Sequence, residues 1–373
     1  MPVRISHSDP SYDPEWVAET DGMLRQAGAE VLPVPGGRAA TAALAGCEAL
    51  CERVTEAARE RLADAPMAQL IGLDVPFLSL GPHRRSDDPF SLLLLPRSTS
   101  ELASPKDRRR IRWEHRGLTT AVRDGARVAA ISHHMRDHLE QVYGVPRHAV
   151  VDLPNGLLLS DHEDMAPAPL PAQAKAGFLL AMGRAVESKG FEDLLEALRI
   201  LSARGERVPH LLLAPTTHTG TVTGYQQRLQ ATVRDYAIDA TFLPRFSPRY
   251  RSWLRSPALR GVVVPSRAEP FGRIPLEAFA SGAAPVVATR AGGLTETVVD
   301  GVTGFTAEAR DPMGLAHAIG RALHIGTQER EQMRVRGRAL LTARYDYEAT
   351  IRSYLRQYVP WAMALNASLG SGA

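Results

Sequence analysis

The chain has 373 residues, 44% of them hydrophobic and 23% charged, which excludes a disordered or fibrous protein and allows two cores. Forty-four Lys and Arg against 41 Asp and Glu leave a net charge of +3, too weak a field for a dedicated nucleic-acid binder. Two cysteines, Cys47 and Cys51, exclude a disulfide framework and a four-thiolate zinc site; four apart in a helical pattern, they share one face. They read as small buried residues in a reducing cytoplasm. The start, MPVRISHSDP, has no apolar core of a signal peptide, and no apolar run approaches a membrane span.

Short apolar runs alternate with longer periodic stretches, the pattern of parallel α/β sheets. Residues Val3–Ser6 offer the only opening strand, without a Gly-rich loop after it. Strands follow at Ala29–Val34, Leu92–Leu95, Arg127–Ile131 and Ala149–Leu153, with helices over Ala42–Leu62 and Met135–Tyr143. Pro154-Asn155-Gly156 is a turn, and the Pro/Ala-rich stretch Ala166–Gly177 reads as a linker. A second alternation begins with a strand at Phe178–Met182 and a helix at Phe191–Ala203. Further strands fall at Leu211–Ala214, Ala240–Leu243, Gly261–Val264 and Ala284–Ala288. Helices Leu315–Leu323, Gln328–Ala343 and Tyr347–Leu365 complete the pattern.

The densest chemical signal is Val263–Gly282, VVPSRAEPFGRIPLEAFASG. A buried strand ends at Pro265-Ser266, a loop carries Glu269, Phe271 and Gly272, and a short helix begins near Ile274-Pro275. This puts the loop at the carboxyl edge of a sheet, where ligands bind. The helix start suits a phosphate, while Glu269 and Glu277 suit sugar hydroxyls on either side of it. A second signal is AMGRAVESKGF, where Gly183, Arg184 and Lys189 follow a strand and offer two cations to a diphosphate. A third is Gly292-Gly293 before Glu296, where glycine permits close backbone approach. Glu296 reads as a helix-start charge. His133-His134 read as an exposed helix entry, because adjacent helix residues do not share a face. Tyr250 and Trp253 read as core. The run Lys106–Trp113, KDRRRIRW, is either a solvated helix face or a contact for an anionic acceptor or membrane surface.

Together these residues resemble the retaining GT-B glycosyltransferases of family 4 (glycosyl transferases group 1). The matching elements run in order from Ser132 and Pro154-Asn155-Gly156 to Asp300-Gly301, Gly304 and Phe305, over about residues 113–345. Between them fall the GR…KG clamp, the Pro-Ser strand end, the paired glutamates and GG-x-x-E. The resemblance implies an α/β GT-B fold, two Rossmann-like domains facing across a cleft. Residues 1–165 would hold the acceptor, 166–346 the nucleotide-sugar, and 347–373 a helix returning to the first domain, with a hinge over 154–177. It implies retaining transfer from a UDP- or GDP-linked sugar to a small-molecule or lipid-linked acceptor, with no cofactor and no obligatory metal. Glu269, Arg184 and Lys189 would be catalytic. Gly183, Phe271, Gly272, Arg273, Ile274, Glu277, Gly292 and Gly293 would bind the donor, Glu277 at the ribose.

The chain departs from the family where a histidine usually follows the strand of the first domain that faces the donor. Here SLLLLPRSTS offers Arg97, Ser98 and Thr99, with His83 as the next candidate; surface pairing of Arg97 with Glu101 is the plainer reading. The expected location is the cytoplasm, with peripheral membrane contact through Lys106–Trp113 and no nucleic-acid partner. A catalytically weak homologue serving as a nucleotide-sugar-binding or partner subunit is the alternative.

Overall fold

The computed structural model describes residues 3–7, 14–34, 43–160, 169–217 and 222–363. The chain divides into two compact units. One comprises Met1–Ile131 and Met135–Leu153, the other Ser132–His134 and Pro154–Ala373. The main segment of the second unit therefore begins at Pro154, before the boundary expected at 166, and the helix Tyr347–Tyr358 groups with it rather than with the first. The expected hinge at 154–177 includes residues 161–168, and the expected helix end and tail include 364–373; both stretches lie outside the described residues.

The first unit contains a parallel pair, β1 (Val3–His7) with β2 (Glu30–Val34). Its main sheet has four parallel strands: β3 (Gln69–Leu73), β4 (Ser91–Leu95), β5 (Arg127–Ala130) and β6 (Val150–Asp152) in that order. Leu92, Leu94, Val128, Ala130 and Val150 pack with Leu50, Val54 and Leu118 of two helices into one core. Those helices are Leu44–Leu62 and Arg108–Arg123. Asp107 caps the second by accepting from the Arg110 N–H at 3.0 Å. Its Gly117 lies so close to the Phe77–Ser79 turn that a Cβ would stand 2.4 Å from the Leu78 carbonyl oxygen. Cys47 and Cys51 are wholly buried on the first helix, and burial pushes both thiols above their ordinary pKa.

The second unit carries six parallel strands in the order β12-β11-β10-β7-β8-β9. They are β7 (Phe178–Arg184), β8 (His210–Thr216), β9 (Ala240–Phe242), β10 (Leu259–Val264), β11 (Val286–Thr289) and β12 (Gly304–Ala307). The order reverses direction at β7 and β10, a switch point of a doubly wound sheet, and ligands bind outside the carboxyl ends of strands at such a point. Leu179, Ala181, Leu211, Leu213, Val263 and Val287 pack against helices Phe191–Ala203 and Pro312–His324. Those strand runs are apolar throughout because helices cover both faces of a parallel sheet.

Candidate functional site

The sequence-selected residues of the second unit converge at the carboxyl ends of β7 and β10. β7 ends at Arg184, whose side chain is exposed and forms no ion pair among the described residues. A turn of 3-10 helix, Glu187–Lys189, follows and stops at Gly190 in the left-handed region (φ 64°). Gly190 is required there because a Cβ would lie 2.0 Å from the Pro265 carbonyl oxygen at the end of β10. The N–H of Arg267 donates to the Ser188 carbonyl at 2.7 Å, tying the two loops together. Arg267 also forks onto Asp193 at 2.6 and 2.7 Å and neutralises the acidic first turn of helix Phe191–Ala203. These contacts hold Lys189 against Glu269, and the two form an ion pair with side chains 14% and 12% exposed. Ser266 donates its hydroxyl to the same carboxylate at 3.3 Å.

Eight residues on, Glu277 is buried in the helix Ile274–Ala280, with Arg251 at 3.3 Å and Arg273 at 3.5 Å. Burial pushes its carboxyl above the ordinary value, against the pull of the two guanidinium groups. Arg251 was not singled out in the sequence. It lies between Tyr250 and Trp253, whose rings stack at 4.8 Å, with Trp253 buried.

Several sequence expectations take a different form. The helix Ile274–Ala280 has only seven residues, and Pro275 supplies no N–H, so its N-terminus makes a poor phosphate cradle. The phosphate reading rests instead on Arg184 and Lys189. The Phe271 ring is 2% exposed and meets Tyr345 edge-on at 5.5 Å, so only its backbone is available to a ligand. Gly292 and Gly293 are needed for contacts within the protein. A Cβ on Gly292 (φ 52°) would stand 2.2 Å from the Glu269 carbonyl oxygen, and one on Gly293 2.6 Å from the Phe271 Cα. The Gly293 N–H donates to the Glu269 carbonyl at 2.9 Å, so the two glycines fix the loop that carries Glu269. Gly272 (φ 87°) is likewise packed against Leu294 and Glu269. Gly183, half-buried, lies beside the Lys189 stem, and Arg273 and Ile274 flank the helix start. Glu296 does not cap its own helix. Its carboxylate accepts the His133 and His134 N–H groups at 3.1 and 2.9 Å.

In the first unit, Arg97 does not pair with Glu101, which instead lies 3.7 Å from Arg108. Its backbone N–H and its Nε donate to Asp74 at 2.8 and 2.6 Å. The in-register pairing of Leu73 with Leu95 brings Asp74 to that place, a relation that a single strand's sequence does not reveal. Thr99 is buried, with Oγ1 2.8 Å from Nε2 of buried His138. Beside it, Glu114 accepts from Ser100 N and Oγ and from the Tyr143 hydroxyl, at 2.9, 2.7 and 2.7 Å. Thr99 therefore belongs to a buried hydrogen-bonded network, and Ser98 beside it is half-buried.

His83 stands 2.7 Å from Glu48. Burial alone would raise the Glu48 carboxyl, but hydrogen bonds from His83, Trp113 and Ser79 outweigh it and hold the group below its ordinary pKa. Glu48 lines a cavity of about 390 Å³ with Arg109, Arg112, Arg116, Trp113 and Leu44. The three arginines fall at i, i+3 and i+7 on one helix face. Arg109 and Arg112 form no ion pair among the described residues, and Arg116 donates to Glu48 at 3.0 Å. The basic run is thus the exposed wall of a cavity. No described cluster of three or more His, Cys, Asp or Glu is arranged to hold a metal ion, and no described helix is long and apolar enough to cross a membrane.

The signature of the family described as Glycosyl transferases group 1 matches residues 162–340. Glycogen synthase of Mycobacterium tuberculosis is 28% identical over 247 residues, 64% of this chain and 55% of that protein. D-inositol 3-phosphate glycosyltransferase of Acidothermus cellulolyticus is 34% identical over 185 residues, 48% of this chain and 40% of that protein. The chain thus spans about half the length of these relatives. Sucrose-phosphate synthase from Thermosynechococcus elongatus superposes with a TM-score of 0.74 at 20% identity, covering 98% of this chain and 100% of that one. HepE of Anabaena, solved with UDP and glucose, gives 0.70 at 18% identity over 95% of this chain and 99% of that one. Residues 162–340 thus carry the signature of the glycosyl transferases group 1, and the chain has the GT-B fold of two Rossmann-like domains.

Proposed function

We propose that the chain is a retaining, metal-independent glycosyltransferase that moves a sugar from a nucleoside-diphosphate sugar to an anionic small-molecule or lipid-linked acceptor. The observation that carries this reading is the grouping of Arg184, Lys189 and Glu269 at the carboxyl ends of β7 and β10. Lys189 and Glu269 pair there, and Arg184 ends β7, at the switch point of a parallel sheet. A nucleoside diphosphate needs charge neutralisation as it leaves, and Arg184 and Lys189 supply it without a metal. Glu269 accepts hydrogen bonds from the transferred sugar's hydroxyls. Glu277 does so from the ribose, with Arg251 and Arg273 holding it in place. Attack by the acceptor on the face that the diphosphate leaves keeps the anomeric configuration, and the departing phosphate oxygens take the acceptor's proton. Before the donor binds, Glu269 neutralises Lys189. The incoming diphosphate takes over the ammonium and frees the carboxylate for the sugar.

UDP is the favoured leaving group, with GDP next, because a fold relative binds UDP and UDP-glucose. The Arg109–Arg112–Arg116 wall supports an anionic acceptor and a site of action in the cytoplasm, at or near an anionic membrane surface. The test is a thermal-shift screen with UDP-, GDP-, ADP- and dTDP-sugars, followed by release of the nucleoside diphosphate. One donor class should raise Tm and be turned over, and Arg184→Ala should diminish the shift. Stabilisation without turnover points instead to a nucleotide-sugar-binding subunit. No shift with any donor refutes the reading.

A further inference from the structure

The second unit holds another cavity, of about 630 Å³, at the amino edge of its sheet, where β10 starts at Leu259 and Ala284 leads into β11. At roughly 3.3 Å per residue, the six residues of β10 separate this edge from the Glu269 loop by about 20 Å. Arg255, Arg260 and Arg330 line it, together with the apolar side chains of Leu254, Leu323 and Ile325, and none of the described lining residues is Asp or Glu. Arg260 is exposed and forms no ion pair among the described residues. Arg330 is half-buried and donates one N–H to the Ala284 carbonyl at 2.9 Å. Its other donors meet no carboxylate among the described residues. Burial first, and then the positive charge of Arg260, lower the Arg330 pKa. Guanidinium does not deprotonate in proteins, so the two cations stay charged and repel each other. A repulsion of this kind, held in a cavity without a counter-charge, is relieved by an anion.

Two further donors face the same space. Ser281 lines the cavity, and its hydroxyl is buried with no hydrogen-bond partner among the described residues. Thr327, also on the wall, is the first residue of an 18-residue helix, Thr327–Arg344, that no side chain caps. The volume falls within the range of small-molecule sites and exceeds what a bare phosphate needs. The apolar wall suits an uncharged body attached to the anion.

We infer that this amino-edge cavity is a second anion site, which takes the phosphate of a small phosphorylated metabolite on Arg260, Arg330 and Ser281. The inference stands independently of the donor reading, because it uses none of the same residues.

The probe is inorganic pyrophosphate, titrated calorimetrically into the 373-residue chain saturated with UDP. At least one further equivalent should bind to the wild type, and the part that Arg260→Glu removes belongs to the amino-edge cavity. Arg260→Glu should weaken that event at least tenfold, since it removes one charge-assisted contact and adds a repelling charge. The same variant should raise Tm without ligand, because a carboxylate then faces Arg330. Arg260 is exposed, so this substitution leaves the core intact; Ser281→Ala should weaken pyrophosphate binding to a lesser degree. Arg184→Ala should leave the UDP-insensitive event unchanged while weakening UDP itself. No further equivalent in the wild type overturns the inference, as does equal affinity in wild type and Arg260→Glu. Failure of UDP to bind bears on the donor reading alone. The Arg260→Glu comparison then reads the cavity with Arg184→Ala as its background.

Discussion

Replacing Glu269 by glutamine should tighten the binding of free UDP while lowering turnover. The Lys189 ammonium is held by the Glu269 carboxylate, and both side chains are largely withdrawn from solvent. A diphosphate must compete for that ammonium. At an effective dielectric constant near 20, two unit charges about 4 Å apart attract by about 4 kcal/mol. Desolvation cancels much of this, and a charge-assisted hydrogen bond nets about 1.5–3 kcal/mol. Part of that is recovered in the complex, where Lys189 can serve both partners, leaving a gain of roughly 1 kcal/mol, about fivefold. Calorimetric titration of UDP into wild type, Glu269→Gln, Lys189→Ala and the double variant measures the term as a cycle. The gain should shrink when Lys189 is absent and diminish with added salt. Turnover should fall at the same time, because a neutral amide accepts the sugar's hydrogen bonds less strongly than a carboxylate. UDP affinity that is unchanged or weaker in Glu269→Gln would refute the idea that Glu269 holds Lys189 in reserve.

Arg184→Ala should weaken UDP by about ten- to a hundredfold, one charge-assisted contact, without moving Tm, since Arg184 is exposed and unpaired among the described residues; equal calorimetric affinities would remove it from the site. Glu277 has a raised carboxyl pKa, so the folded chain holds this proton more tightly than the unfolded one. Its contribution to stability is complete below the ordinary carboxylate pKa and is lost as pH rises through the raised value. Glu277→Gln should therefore flatten the fall of Tm across the weakly acidic range, and identical profiles in both proteins would count against it. Gly292→Ala should cost about 1–3 kcal/mol, read by chemical denaturation, because the new Cβ would collide with the Glu269 carbonyl at φ 52°; wild-type stability would contradict the packing described. Arg109→Ala combined with Arg112→Ala should slow transfer to an anionic acceptor while sparing UDP affinity, whereas equal rates would assign that cavity no part in acceptor binding.

The alternation of apolar runs was enough to place the central strands, because β4, β7, β8, β10 and β11 are covered on both faces and read as continuous hydrophobic stretches. The helix Phe191–Ala203 was equally legible from its leucine spacing. The edge strand β3 was not, since most of its side chains are exposed or half-buried and Gly72 interrupts it. The helix Gly224–Asp235 was overlooked although Thr223 and Gln226 form a capping box, a signal present in the chain. Motif order sufficed to nominate Arg184, Lys189, Glu269 and Glu277, because the first three lie at or just after a strand end, Glu277 sits in the helix that follows β10, and strand ends of a parallel sheet meet at one edge. What the linear chain could not contain was who neutralises whom. Lys189 meets Glu269 across 80 residues, Arg97 meets Asp74 across a strand pair, and Glu48 gathers Ser79, His83, Trp113 and Arg116 from two separate stretches. Such pairings depend on strand register and on the approach of helices to turns. They are set by packing between segments distant in sequence, so only the tertiary structure decided them.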